Sequence, residues 1–161
     1  MQYRKLSKEQ FEALHEEFAQ FLATQQIDAS EWAKIKKDKP EVAEEELNLF
    51  SDMVWEKVLN KTNYLEHFSK KNINLFKCSE IEIFRIVVEV GKPDFDFFSD
   101  KDYQWFLDNT NDVSIQFFKG TKTYDKERNV ELFDLIQKGS IVCNGKLYES
   151  ILKLINQSKT N

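Results

Sequence analysis

A glutamate, a histidine and a cysteine fall within the fifteen residues of YLEHFSKKNINLFKC, Tyr64 to Cys78. A thiol near an imidazole can form a nucleophile–base pair, and soft ligands at short spacing can form a zinc site. The rest of the chain does little to complete either one. It holds His15, His67, Cys78 and Cys143 and no other residue of these two types. A four-ligand zinc site would need all four to converge, with no two at the spacing that one element usually supplies. The plainer reading is that Cys78 ends an apolar strand beside Phe76 and behaves as a small buried hydrophobe. No catalytic residue, metal ligand or cofactor is expected here.

Two other stretches carry residue types with chemical potential. KPDFDFFSDKD gathers Asp94, Asp96, Asp100 and Asp102, and paired carboxylates can hold magnesium. The same acids also suit a loop and a helix N-terminus, where negative charge is stabilised. FFKGTKTYDKER interleaves Lys119, Lys122, Lys126 and Arg128 with Tyr124 and two threonines. Read as a strand that turns at Gly120 and enters a helix near Asp125, it could present cations and hydroxyls to a phosphate. A P-loop is excluded by spacing, and Asp125 and Glu127 dilute the charge. An exposed mixed-charge turn is the competing interpretation. There is no Gly-x-Ser-x-Gly, no His-Glu-x-x-His and no dinucleotide glycine fingerprint.

The elements that would position these residues are marked by their starts. LSKEQF places Ser7 as a cap with Gln10 reaching back, and IDASEW repeats the device with Asp28 and Glu31. The first helix then carries Phe11, Leu14, Phe18, Phe21 and Leu22 to about Thr24. A short second helix ends near Lys37. Pro40 suits the first position of a third, with Glu41, Glu44, Glu45 and Glu46 near its positive end. The spacing of Leu65 and Phe68 allows that helix to persist to about Ser69. Beyond it, INLFKC and IEIFRIVVEV read as strands, SDKDYQWFLDN as a helix capped by Ser99, and VSIQFF as a strand. DKERNVELFDLIQKG is a helix closed by Gly139, SIVC a short strand, and Leu147, Ile151, Leu154 and Ile155 mark a last helix.

This order predicts an α+β or α/β protein. An acidic three-helix unit over residues 1–63 would pack with a small mixed sheet of three to four helix-covered strands over residues 64–161. Strand–helix–strand order favours parallel pairing. With 161 residues and 41% hydrophobic composition, the chain is long enough to bury a sizeable core. Net charge is −5, with nine Lys/Arg against fourteen Asp/Glu in residues 1–68 and fourteen of each thereafter. That balance speaks against general nucleic-acid binding. MQYRKLSKEQ lacks an apolar leader and no run approaches membrane-spanning length, so a reduced, cytoplasmic setting without membrane association is expected.

YRKLSKEQFEALHEEFAQFLATQQIDASEW, KPEVAEEELNLFSDMVWEKVL and YLEHFSKKNINLFKC resemble a family of small, uncharacterised cytosolic proteins of the Bacteroidetes. NGKLYE at Asn144–Glu149 corresponds to a DGKLYE-like stretch of that family, with Asn in the first place. The resemblance implies a bacterial cytoplasmic setting and carries no activity. The expected function is a non-catalytic interaction or regulatory protein with an unidentified protein partner. Fourteen Phe, three Trp and five Tyr supply contact surface, and Trp32, Trp55 and Trp105 are the candidate interface anchors. The alternatives are RNA, nucleotide or phosphate binding through Lys119, Lys122, Lys126 and Arg128, and a small metal-dependent enzyme using the Asp94–Asp102 carboxylates.

Overall fold

The computed structural model describes residues 2–159, with backbone alone at Lys159. The chain separates into two compact units, Met1–Asn60 and Lys61–Asn161.

The first unit holds α1 (Lys8–Ala13), α2 (His15–Ala23), α3 (Ala29–Asp38) and α4 (Pro40–Asn60). The expected box forms in full at Ser7, whereas at Asp28 only the cap oxygen's half of it is present among the described residues. Ser7 Oγ accepts the Gln10 N–H at 3.2 Å while Gln10 Oε1 accepts the Ser7 N–H at 2.8 Å, and Asp28 Oδ1 accepts the Glu31 N–H at 2.8 Å. Each satisfies an amide that the first helical turn leaves without a partner. Pro40 opens α4 where its missing N–H costs nothing. The single first helix expected from periodicity is instead interrupted at Leu14, whose φ of −107° and ψ of 25° leave helical geometry.

Phe50 is fully buried, and Phe11, Phe18 and Phe21 place their ring centroids 6.0, 5.0 and 5.4 Å from it. Trp32 meets Phe18 edge-on at 5.3 Å. This cluster gathers five of the twenty-two aromatic side chains in the sequence. Ser51, buried inside α4, donates to the Leu47 carbonyl and accepts the Leu6 N–H at 3.0 Å. Asp52 accepts the Gln2 and Tyr3 amides. The segment before α1 is thereby tied to α4 through backbone groups.

The second unit starts with a correction. α4 ends at Asn60, and Tyr64–Phe68 is strand β1 rather than the end of a helix. Leu65 and Phe68 satisfy helical spacing, but β2 (Asn72–Cys78) and β5 (Ile141–Cys143) take up the hydrogen-bonding groups of β1 on its two sides. With β3 (Glu82–Val90) and β4 (Ile115–Thr123), these form a five-stranded sheet in the order β4-β3-β2-β1-β5.

Every neighbouring pair is antiparallel. The fold is therefore α+β, and the expected mixed sheet of three to four strands is replaced by a purely antiparallel one of five. The helix between β3 and β4, α5 (Asp100–Asp108), does not carry the chain along the sheet as a crossover would. Val90 pairs with Ile115, so the connection returns to the end it left, as an elongated hairpin does.

Directly paired residues share a face. One face carries Ile73, Leu75, Ile86, Val88 and Ile115, which pack with Phe95, Phe97 and Phe106 around α5. Tyr148, Ile151 and Ile155 of α7 (Lys146–Lys159) complete this core. Leu75, Ile86 and Phe106 are completely buried, each such side chain contributing about 1.5–3 kcal/mol. The other face carries Leu65, Phe76, Cys78, Ile83, Arg85 and Gly120, and α6 (Arg128–Gln137) lies against it.

Gly120 does not turn the chain, as the sequence had suggested. It lies inside β4 opposite Arg85 with no positive φ, and the following helix starts at Arg128 rather than near Asp125. Ser99 caps α5 by accepting the Asp102 N–H, and Gly139 ends α6 with a φ of 115° that disfavours a side chain. Among the described residues, no helix is long and apolar enough to cross a membrane.

Candidate functional site

β4 and α6 enclose a groove of about 520 Å³ in the second unit. The alternation of the strands decides what it contains. Phe76 of β2 and Ile83 of β3 supply an apolar floor, and Leu135 of α6 an apolar wall. Arg85 stands next along β3. On β4 its partner is Gly120, and a Cβ built there would meet no atom within 4 Å. The floor therefore opens laterally at Gly120, toward the edge of the sheet. A glycine inside a strand costs packing and chain entropy, and it often marks a place where something approaches the backbone closely.

The rim is charged. Lys122 Nζ pairs with Asp125 at 3.1 Å and with Glu131 at 3.0 Å, and these two carboxylates raise its pKa. Lys126 Nζ pairs with Asp134 at 3.2 Å. Arg85 donates to Asn74 Oδ1 from Nε at 2.9 Å and lies 5.8 Å from the centre of the Phe76 ring. Neither Arg85 nor Lys138 has a carboxylate partner among the described residues. Lysine-bearing ion pairs at this exposure are weak and exchangeable, so the rim can be re-paired by an incoming anion.

The four cations singled out from the sequence are thus separated by the fold. Lys122 and Lys126 line the groove. Lys119 pairs with Ile86 and belongs to the opposite face of the sheet, because side chains alternate along β4. Arg128 turns inward: its Nη2 donates to the Thr62 and Cys78 carbonyls and its Nε to the Ser79 carbonyl at 2.9 Å. It ties the start of α6 to the ends of β2 and the segment before β1. Tyr124 donates its hydroxyl to the Ser79 carbonyl at 2.9 Å, and burial pushes its pKa up to about 12.

The other candidates are placed as follows. Burial pushes the Cys78 thiol up to about 12, which leaves it protonated and a poor nucleophile at neutral pH. His67 lies opposite Asn74, four residues along β2 from Cys78, which is about 13 Å at strand rise. Cys143 pairs with Tyr64 on the far side of β1, and both cysteines are free. One intervening strand puts the two backbones about 9–10 Å apart, beyond the reach of a disulfide.

Asp96 Oδ1 accepts the Phe98 N–H, and Asp102 Oδ2 accepts the Asp96 N–H at 3.0 Å, so both carboxylates stabilise the turn. Among the described residues no three His, Cys, Asp or Glu converge on a metal-sized space.

The three tryptophans are half-buried and none lines the groove. Each is approached by a cation, Lys36 at 5.9 Å from Trp32, Arg4 at 5.3 Å from Trp55 and Lys92 at 3.8 Å from Trp105.

Sequence reasoning missed Arg85, Lys138 and the role of Gly120. The signal is a glycine inside the strand-like IQFFKGTKT, a residue that equally suits a turn. Compared with known proteins, the chain matches over residues 1–156 the model of a family described as "Family of unknown function (DUF6495)". No curated protein and no solved structure matches it.

Proposed function

We propose, for a chain that belongs to this family of unknown function (DUF6495), a non-catalytic interaction protein of the bacterial cytoplasm. Its α+β unit receives a segment of a partner protein in the groove between β4 and α6. The observation that carries the reading is the groove itself, about 520 Å³ with an apolar floor left open at Gly120 inside an otherwise regular strand. Concave sites with an apolar base and a few polar groups are the usual receptors for ligands. What this groove offers is shape and charge. Among the described residues Lys122 and Lys126 are matched by carboxylates, Arg85 and Lys138 are not, and neither histidine nor either cysteine lines it.

The test is a native pull-down from the source bacterium with the wild type and Gly120→Phe, each with and without ribonuclease. The reading expects a stoichiometric protein that survives ribonuclease and is lost with Gly120→Phe, whose ring would occupy the open floor. Equal capture by both proteins would sink it. Loss of everything on ribonuclease treatment would also sink it, in favour of RNA.

A further inference from the structure

Strand β4 is an edge of the sheet, and its hydrogen-bonding phase can be read from the bonds that flank its ladder. Gly91 donates to the Ser114 carbonyl at 2.7 Å and Tyr124 to the Ile81 carbonyl at 3.4 Å. The register between them is continuous, so Gln116, Phe118, Gly120 and Lys122 turn their amides and carbonyls toward β3. Phe117, Lys119, Thr121 and Thr123 turn theirs outward, away from the sheet. Among the described residues these four backbone positions have no hydrogen-bond partner. Lys119, Thr121 and Thr123 are also exposed.

From this geometry we propose that β4 accepts an extended, acidic peptide segment as a sixth strand of the sheet. One large apolar side chain of that segment would seat over Gly120. The proposal rests on the groove reading above and names the partner's chemistry.

Backbone addition to an exposed edge gives affinity, while pockets for alternate side chains give specificity. A residue of the added strand opposite Gly120 faces the groove side of the sheet. It meets no cross-strand side chain there, and large side chains characteristically cover an edge glycine. Around that position stand Lys122 beside Gly120 on β4 and Arg85 and Lys138 without carboxylate partners.

Charge complementarity selects the occupant. β4 carries Lys119 and Lys122 and no acidic residue. A second copy pairing through the same edge would bring two lysine-bearing strands together, the arrangement that edge lysines disfavour. An acidic strand would meet Lys119 on one face and Arg85 and Lys138 on the other, where Asp125, Glu131 and Asp134 already pair with Lys122 and Lys126.

The experiment selects random dodecapeptides displayed on phage against the full chain. Selected sequences are then measured on the wild type, Gly120→Phe and Thr121→Pro. Thr121→Pro removes an outward amide and leaves the β3–β4 bonds intact, since proline is tolerated on an edge strand where the N–H faces away from the sheet. Retained circular dichroism and unfolding midpoint establish that both variants fold.

The expected outcome is enrichment of acidic peptides with one large apolar residue. Both substitutions should weaken their binding by about tenfold or more. Hydrogen exchange at the Lys119, Thr121 and Thr123 amides should slow on binding, and added salt should weaken it. Peptides that tolerate Thr121→Pro but not Gly120→Phe would overturn strand addition and leave the groove reading standing. Basic or neutral winners would overturn the acidic chemistry. Selection of no peptide would overturn the proposal without touching the outcome of the pull-down. A dimer that Thr121→Pro dissociates would replace the peptide with a second copy.

Discussion

β5 and β4 are the two edges of one sheet, three residues long on one side and nine on the other. β5 is followed at once by a turn that locks. Gly145 takes a φ of 80°, and a Cβ there would run into the Tyr64 ring. In α7, Glu149 Oε1 accepts the Tyr64 hydroxyl at 2.6 Å and the Lys77 ammonium at 3.0 Å. β4 has no such lock. It runs nine residues with exposed lysines, and its glycine faces empty space rather than a ring. Short edges are one way a sheet prevents unwanted pairing, and edge lysines are another. The first closes an edge to every strand, whereas the second rejects partners by charge. The β4 edge is thereby selective rather than sealed.

The comparison is broken most severely by Gly145→Ala. A methyl there would overlap the Tyr64 ring, and the left-handed backbone adds strain of its own. A loss of about 2–4 kcal/mol is expected, read as a lower urea midpoint at unchanged slope. Arg128→Met comes next. It removes the guanidinium that serves the Thr62, Cys78 and Ser79 carbonyls and so loosens the helix that walls the groove. About 2 kcal/mol is the expected loss, with faster hydrogen exchange at the start of α6.

A smaller effect sharpens the contrast from the closed side through pH. Hydrogen bonds from Tyr64 and then from Lys77 hold the Glu149 carboxyl below its ordinary 4.5. Lys153 adds a weaker attraction. A depressed carboxylate contributes stability that is fully present above its unfolded-state pKa and lost as pH falls through the folded one. Stability should therefore decline as the pH drops below about 4.5, and Glu149→Gln should flatten that part of the profile. The Lys77 and Glu149 side chains are 42% and 43% exposed, so the effect should stay under about 1 kcal/mol. An unchanged acid limb in Glu149→Gln would remove this lock from the account.

How far these features were legible in the sequence follows from their range. Caps are local: Ser7, Asp28, Ser99, Pro40 and Gly139 act within four residues of the ends they define, and all were readable. β1 was misread because Leu65 and Phe68 fit a helical spacing, and only pairing with β2 and β5, far along the chain, decides for strand. Antiparallel order was hidden for a related reason. The strand–helix–strand succession is the same whether α5 crosses the sheet or returns to the same end. The groove was the least legible feature. It exists because one register sets Gly120 beside Arg85 and Ile83 beside Lys122, and a shift of one residue would send those side chains to the opposite face. Residue types alone grouped Lys119 with Lys122, which alternation then parted.

The smallest expected effect is also the most discriminating, since it has the opposite sign. Gly120→Ala adds the same methyl as Gly145→Ala, at the other edge of the same sheet. There it meets nothing within 4 Å and the backbone has no positive φ. Glycine at such a site only enlarges the entropy of the unfolded chain, so alanine should raise stability by about 0.4–1 kcal/mol. For a chain of this length that is an upward shift in Tm of about 1–4 °C, accessible to calorimetry. A loss comparable to that of Gly145→Ala would mean that the space over Gly120 is not open, and both the groove and the added strand would fall with it. A gain would mean that the space over Gly120 is open, as the groove and the added strand both require.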